Sequence, residues 1–363
     1  MASKLYTAIK SLNLLKKQGE PVHEALHELK RLLYSSKEWM NPFFLQLHIT
    51  NKCNLNCKHC YYSKKDKKGL LTKNEIFKII DNYNRFLKKT KQKGMIYFTG
   101  GEPLLDNNIY DYIARADELG MYTMVLTNGT LIDKSVARKL LESGTQLVQV
   151  SLEGMEETND NIRGLGSFKR ATEGIDNCVN ACLDATVMMT ISRLNIKDFE
   201  PLVKHCISHN VTQLSFDRLV PTGKGTRLSK ELLTKLELSK FYDYIKSLSV
   251  KYRNNIAVNS CDPLWRKMIS DSYGCCIGLK GICICENGDV MPCRRTNLVI
   301  DTIRNKSLIS IWNSEYLRNF RRSENFEGRC GKCRDFKKCL GCRAVAKSVN
   351  GSEFGEDPQC FFY

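Results

Sequence analysis

The sequence predicts an α/β fold, a partial (β/α)6 TIM-like barrel followed by a small cysteine-rich domain. Strand-like and helix-like segments alternate six times between residues 43 and 253. From about residue 256 this rhythm breaks, and the chain becomes rich in cysteine and glycine. A regular alternation of this kind is typical of a parallel sheet covered by helices.

The predicted strands are apolar, β-branched or aromatic runs: FFLQLHIT (43–50), MIYFTG (95–100), YTMVLTN (122–128), LVQVSLE (147–153), ATVMMTIS (185–192) and QLSFDRLV (213–220). Segments with helical periodicity follow them, near 72–91, 108–119, 133–143, 167–183, 196–209 and 229–253. Six such units predict a parallel sheet with its helices outside, either open or curled into part of a barrel.

The flanking segments complete the expected domains. Two short helices are predicted before the sheet, over Leu5–Lys17 and Val22–Leu33, and the last long helix is expected to begin at a Ser229 cap. "GICICENGDVMPC" predicts a hairpin that turns at Asn287-Gly288. The expected domains are 1–40 (N-terminal helices), 41–228 (barrel), 229–255 (linking helix) and 256–363, which has too little apolar core to fold without metal.

Composition narrows the class of protein. The net charge is 56 − 39 = +17, but the lysines are scattered without the interleaved aromatics of a nucleic-acid platform, so we expect no nucleic acid. The N-terminus lacks an apolar signal core and no apolar run could span a bilayer, so we predict a cytoplasmic protein without membrane contact. Seventeen cysteines in that compartment favour thiolate ligands over disulfides.

Three cysteines follow the first predicted strand directly, in "CNLNCKHCYY". A structural zinc site closes with four ligands, and disulfides need partners in pairs. The trio Cys53, Cys57 and Cys60 therefore suits a metal centre that keeps one position open.

Other polar groups fall at the ends of the following strands. They are "TGGEP" (99–103), "TNGT" (127–130), "SLEG" (151–154) and "IRGLG" (162–166). Because the carboxyl ends of parallel strands meet at one rim, we expect these groups to lie around the cysteine trio.

The chain resembles the radical S-adenosylmethionine (SAM) enzymes in its C-x3-C-x2-C hallmark, GGE, "LTNG" and "SLEG" followed by "RG". The resemblance implies that the three cysteines hold a 4Fe–4S cluster whose fourth iron binds SAM, which is cleaved reductively to a 5′-deoxyadenosyl radical. It further implies the roles of the rim residues: Gly100, Gly101 and Glu102 for the methionine ammonium, Ser151 and Arg163 for ribose and carboxylate, the backbone around His59 for adenine, and Asn128 as a further contact.

The C-terminal cysteines resemble the SPASM extension, which carries auxiliary iron–sulfur clusters. The resemblance assigns one cluster to Cys330, Cys333, Cys339 and Cys360, and the other to Cys276, Cys293 and Cys342 with Cys275 or Cys261 completing it. Spacing alone also permits two zinc sites.

The resemblance leaves the substrate open between two classes. The leading interpretation is an oxidoreductase-type maturase that modifies or crosslinks a ribosomally made peptide or protein, with a reducing partner such as ferredoxin or flavodoxin. The alternative is a tetrapyrrole-tailoring enzyme acting on side chains, and a non-catalytic iron–sulfur electron carrier ranks third. Sulfatase-maturing relatives have an aspartate where this chain has Arg294, followed by Arg295, which argues against that activity. Two arginines there suit a carboxylate or an acidic peptide.

Overall fold

A single sheet organises the protein in this computed structural model, which describes residues 22–34, 42–62, 69–269 and 278–362 and scattered residues between 5 and 15. Within those residues the sheet has ten strands. The strands are β1 Phe43–Thr50, β2 Gly94–Gly100, β3 Tyr122–Thr127, β4 Leu147–Ser151, β5 Asp184–Ile191, β6 Gln213–Arg218, β7 Ala257–Asn259, β8 Gly281–Ile284, β9 Asp289–Met291 and β10 Asp301–Thr302.

Helices connect the strands and cover the sheet. In the described part of the chain they are α1 His23–Tyr34, α2 Lys73–Thr90, α3 Ile109–Glu118, α4 Lys134–Ser143, α5 Glu156–Arg163, α6 Ser167–Asn180, α7 Phe199–Ser208, α8 Lys235–Lys251, α9 Pro263–Ile269, α10 Leu308–Trp312, α11 Glu315–Phe320, α12 Gly328–Gly331, α13 Phe336–Cys339 and α14 Arg343–Asn350. None of these helices is long and apolar enough to cross a membrane.

The predicted α/β fold with a parallel sheet is confirmed. Strands β1 to β7 lie side by side in chain order, and each neighbouring pair is parallel. Every one of the six predicted strands is present, with ends that differ from the prediction by two residues or fewer. The parallel order brings the carboxyl ends of all seven strands to one rim.

The helix that follows β1 illustrates how the core is built. Thr72 caps α2 through a reciprocal pair of hydrogen bonds with Glu75, so the helix begins where the sequence predicts. Its apolar face then packs on the sheet, and the buried Tyr83 hydroxyl donates to the Phe43 carbonyl at 2.7 Å. The main core therefore lies between the sheet and its outer helices.

The cysteine-rich part of the chain extends the same sheet. Strands β8 and β9 form the predicted hairpin around Asn287-Gly288, and Gly288 has the positive φ of +89° that this turn requires. Strand β8 pairs in parallel with β1, with Phe44 opposite Gly281 and Leu47 opposite Ile284. The sheet thus crosses the domain limit expected near residue 256.

Several predicted elements differ from the structure. The long helix α8 begins at Lys235 with a Thr234 capping box, so the prediction of a Ser229 cap is wrong; residues 223–231 form a 3-10 segment instead. Helix α5 and strand β7 were not predicted. Of the predicted helix over 5–17, residues 5, 8, 9, 11–13 and 15 are described and helical, and the others lie outside the described residues.

Candidate functional site

The cysteine loop (residues 51–62) leaves the carboxyl end of β1 and is held against the end of β2. The N–H groups of Gly101 and Glu102 donate to the carbonyls of Thr50 and Lys52 at 2.8 and 2.7 Å. A Cβ on Gly101 would lie 2.2 Å from the Lys52 oxygen. A residue without a side chain at position 101 is therefore what allows the two backbones to meet.

The far side of the loop is held by two other connections. The N–H of Lys58 donates to the Ile162 carbonyl of α5 at 2.9 Å, and the N–H of Lys224, after β6, donates to the Cys60 carbonyl at 2.8 Å. Gly223 has φ +60°, and a Cβ there would lie 2.3 Å from the Tyr61 oxygen. Strand ends from across the rim thus fix one loop, as the strand-end argument predicts.

The three thiols of this loop lie close enough to interact electrostatically. Burial raises the pKa of the Cys57 thiol, the guanidinium of Arg163 opposes that shift, and Cys53 and Cys60 add to it. The N–H of Leu55 approaches the Cys53 sulfur at 3.5 Å. The structure therefore brings Cys53, Cys57 and Cys60 together as predicted from their spacing.

Glu102 is fully buried, and its carboxylate is used within the rim. It accepts hydrogen bonds from the Thr127 hydroxyl at 2.6 Å and from the N–H groups of Leu104 and Asn128 at 3.1 and 2.8 Å. Burial raises its pKa, and these hydrogen bonds oppose the shift. The side chain therefore joins the ends of β2 and β3, and the adjoining Gly100 lies opposite Thr50 at the end of β1.

Asn128 connects the end of β3 to the cysteine loop. Its side-chain amide donates to the Asn54 oxygen at 2.8 Å, and its own oxygen accepts from the N–H of Thr130 at 2.9 Å. Asn54 in turn donates to the Thr130 hydroxyl at 2.9 Å. Asn128 thus positions the loop, a role that its place in "TNGT" did not specify.

Glu153 is a functional candidate that the sequence reasoning missed. Its carboxylate is 1% exposed and pairs with Arg163 of α5 and with His59 Nε2 at 3.1 Å, while Thr190 N–H donates to it at 2.7 Å. Burial alone would raise the pKa of this carboxyl, but Arg163 and His59 lower it to about 2. The signal was present, since Glu153 is the third residue of the "SLEG" segment.

Ser151 and Arg163 both lie at this rim. Ser151 ends β4 and is half-buried on the inner side of the sheet, opposite Met188 of β5. Arg163 ends α5, pairs with Glu153 and reaches to within 4.0 Å of the Cys57 sulfur. The position of Arg163 in the sequence alone would suggest an ion pair at the surface. In the structure its ion pair with Glu153 is buried.

Four C-terminal cysteines surround one cavity, as the predicted grouping requires: Cys330, Cys333, Cys339 and Cys360. The N–H of Gly341 donates to the Cys339 sulfur and the N–H of Asp357 to the Cys330 sulfur, both at 3.4 Å. Among the described residues, no three His, Cys, Asp or Glu side chains converge tightly enough to hold a single metal ion. Four thiols around a cavity, with N–H donors directed at sulfur, match the ligand set of a 4Fe–4S cluster.

A second group of cysteines lies around Arg295. Its guanidinium pairs with Asp217 of β6 at 3.2 Å and interacts electrostatically with Cys293 and Cys342. It also interacts with Cys261, which precedes α9. The structure thus brings together the three described members of the second predicted set, while Cys275 and Cys276 lie outside the described residues.

A buried ion-pair network joins the rim of the sheet to these cysteines, and the sequence reasoning missed it. Arg218, at the end of β6, pairs with Asp262 at 2.6 Å and with Asp357 at 2.7 Å. Asp357 also accepts from the N–H of Cys342 at 2.8 Å. All three charged side chains are at most 3% exposed, so the network is part of the core.

Comparisons with known proteins agree with this geometry. Residues 47–206 match the model of the radical SAM superfamily, and residues 275–342 match that of an iron–sulfur cluster-binding domain, SPASM. The chain is 30% identical over 342 residues to the AdoMet-dependent heme synthase of Nitratidesulfovibrio vulgaris, covering 86% of this chain and 90% of that protein. It is 28% identical over 331 residues to the mycofactocin maturase of Mycolicibacterium smegmatis, covering 88% and 82%.

Solved structures share the fold. Streptococcus suis SuiB bound to its precursor peptide SuiA superposes with a TM-score of 0.65 at 19% identity, covering 90% of this chain and 78% of that one. The enzyme anSMEcpe with bound AdoMet gives a TM-score of 0.68 at 21% identity, covering 88% and 94%.

The chain belongs to the radical SAM superfamily. It carries in addition the C-terminal SPASM extension, so its cofactors are a 4Fe–4S cluster with SAM and auxiliary iron–sulfur clusters. The chain is accordingly an enzyme that uses SAM for radical chemistry, and the ranking of a non-catalytic carrier below the enzyme interpretations is confirmed.

Proposed function

We propose that this radical SAM/SPASM enzyme abstracts hydrogen from a carbon of a ribosomally made peptide or protein, which it then modifies or crosslinks. The observation that carries the enzymatic part is the cysteine loop, held at the rim by the end of β2, by α5 and by the connection after β6. The mycofactocin maturase, which matches 88% of this chain, supports a peptide substrate.

We propose the following ligand sets on the grouping described above: Cys53, Cys57 and Cys60 for the SAM-binding cluster, Cys330, Cys333, Cys339 and Cys360 for one auxiliary cluster, and Cys293 and Cys342 with Cys276 and Cys275 or Cys261 for the other. When bound, the first cluster and SAM supply a 5′-deoxyadenosyl radical. Gly100, Gly101, Glu102, Asn128, Ser151 and Arg163 are proposed to hold SAM, directly or by positioning the loop.

The protein's own contribution is to position the substrate and to exclude water. The cysteine loop is held against the carboxyl ends of the strands, and a reactive radical must be kept from solvent and next to its target carbon. A reducing partner such as ferredoxin or flavodoxin would deliver the electron, and the cysteine-rich composition supports a reducing, cytoplasmic location.

A tetrapyrrole side chain is the second candidate substrate. The heme synthase relative favours it, because that protein has the higher identity, 30%, and is covered over 90% of its length. The identities of the two relatives differ by two percentage points, which does not separate the substrates.

The enzymatic proposal is tested with anaerobically reconstituted protein and a Cys57→Ala variant. We expect about twelve iron atoms per chain, as three 4Fe–4S clusters hold, and formation of 5′-deoxyadenosine after reduction with SAM present. Cys57→Ala should lose both that product and the iron of one cluster. The matched control is Cys182→Ala, which removes an exposed thiol. Equal 5′-deoxyadenosine from Cys57→Ala and the wild type would contradict the proposal.

A further inference from the structure

Arg294 is a buried cation without an ion-pair partner among the described residues. It follows Cys293 after β9 and is 7% exposed. Its neighbour Arg295 forms an ion pair with Asp217. The Arg294 guanidinium, by contrast, donates to the Met291 sulfur at 3.6 Å, and the Nε of Arg294 has no hydrogen-bond partner among the described residues. The two adjacent arginines therefore differ: Arg295 has a carboxylate ion-pair partner, whereas Arg294 has none among the described residues and interacts only at longer range with Cys285 and Glu286.

Aromatic rings of the cysteine loop hold this guanidinium in place. Its central carbon lies 4.4 Å from the ring centre of Tyr62 and 5.7 Å from that of Tyr61. The Tyr62 hydroxyl donates to Glu286, the acidic side chain that interacts electrostatically with Arg294 without forming an ion pair with it. Cation–π contacts orient Arg294 but leave its N–H donors available for an anion.

His48 adds a second unsatisfied polar group beside the same ring. Its imidazole is 0% exposed, neither ring nitrogen has a hydrogen-bond partner in the described part of the chain, and its ring centre lies 6.4 Å from that of Tyr61. His48 lies two residues beyond Gln46, which pairs with Cys283 of β8, so both face the inner side of the sheet. Burial, and then Arg294, lower the pKa of His48, so the ring is neutral and carries one N–H donor.

We infer that Arg294 and His48, which both adjoin the Tyr61 ring of the cysteine loop, form a binding site for a carboxylate group of the substrate. A buried guanidinium without a partner is costly, and a carboxylate that accepts from it and from the imidazole would satisfy both groups. The planar donors of an arginine match the two oxygens of a carboxylate. This inference rests on the proposed function and specifies the chemistry of the substrate that it takes.

Either candidate substrate can supply such a group. A tetrapyrrole offers a propionate, and a peptide offers an acidic side chain. The test therefore uses a matched pair of probes for each source: coproporphyrin III and its methyl ester, and a capped peptide with one glutamate and its glutamine counterpart.

The experiment measures binding of these probes to anaerobic holoenzyme by fluorescence or calorimetry. For wild type we expect one acid probe to bind at least tenfold more tightly than its neutral counterpart, as a charge-assisted hydrogen bond provides. Arg294→Gln should lose this preference and bind the neutral probe unchanged, and His48→Phe should weaken it. The control, Arg318→Gln, removes an exposed arginine of α11 and should behave as wild type.

Three results would overturn the inference: no preference for either acid probe in wild type, an unchanged preference in Arg294→Gln, or an equal loss for acid and neutral probes in that variant with its iron intact. If Arg294→Gln loses iron, the Arg294→Lys variant is measured instead. A retained preference for the acid probe supports the site, and an equal loss of affinity for the acid and neutral probes rejects it. Because binding is read without turnover, 5′-deoxyadenosine formation in the same samples separates a failure of the proposed function from a failure of this site.

Discussion

Glu153 connects three separate parts of the rim. It joins Arg163 at the end of α5, His59 in the cysteine loop and the backbone of β5 at Thr190. A buried carboxylate between two basic groups keeps the loop and α5 in a fixed relation. The cysteine hallmark identifies the loop from sequence, but it does not reveal which carboxylate holds it.

Replacing Glu153 with glutamine should therefore affect both stability and activity. The change leaves the Arg163 guanidinium buried beside a neutral amide, and breaking a buried pair costs about 3–5 kcal/mol. We expect a lower free energy of unfolding in denaturant titration and less 5′-deoxyadenosine per chain. Glu157→Gln, on the exposed side of the same helix, should change neither, and equal effects from the two variants would contradict this role.

At the scale of elements, the end of β2 and the start of the cysteine loop form one unit. The N–H groups of Gly101 and Glu102, directly after β2, donate to carbonyls at and just beyond the end of β1, across a contact that only glycine permits at position 101. The sequence predicted that glycines at this place would matter for ligand approach. The structure shows in addition that the glycine at position 101 allows the backbone after β2 to pack against the backbone after β1.

Gly101→Ala should displace the cysteine loop, because the new Cβ would overlap a backbone oxygen that no side-chain rotation can move. We expect the loss of about one third of the iron, the share of one cluster in three, and no 5′-deoxyadenosine, with the auxiliary clusters retained in spectra. The matched control is Gly120→Ala, where φ is +75° and a Cβ meets nothing within 4 Å. If both variants lose the same iron, the contact between Gly101 and the Lys52 oxygen would not be responsible.

Some helices and strands could not be predicted from the sequence. Helix α5 was missed because its residues, EETNDNIR, lack an apolar period, although it supplies Arg163. Strand β7 has three residues, too few for a periodic signal. The 3-10 segment over 223–231 was assigned to the following helix because Ser229 resembles a cap, whereas Thr234 with Glu237 forms the true one.

At the scale of the whole molecule, Arg218 links the sheet to the cysteine-rich part of the chain. It binds Asp262 before α9 and Asp357 near the C-terminal cysteines, and Asp357 fixes the backbone of Cys342. Such long-range pairing cannot be found from a single sequence, because the partners lie 44 and 139 residues away and share no motif.

Arg218→Met should loosen this link and leave two buried carboxylates without their partner. We expect a loss of about 3–5 kcal/mol in the free energy of unfolding and partial loss of auxiliary iron, with the SAM-binding cluster less affected. The comparison is Arg193→Met, which breaks an exposed pair with Glu237 and should change the free energy of unfolding far less, because solvent screens that pair. Equal stability losses in the two variants would mean that the buried network adds nothing beyond a surface pair.

The pairing of β8 with β1 has a consequence for how the molecule is made. A ribosome releases β1 early, and its free edge stays unpaired until the hairpin that ends at β9 has been synthesised. An uncovered parallel strand such as FFLQLHIT is a template for pairing with other nascent chains. Translation of the hairpin therefore also covers this edge, so the nascent chain should be most prone to aggregate before residue 281 has been made.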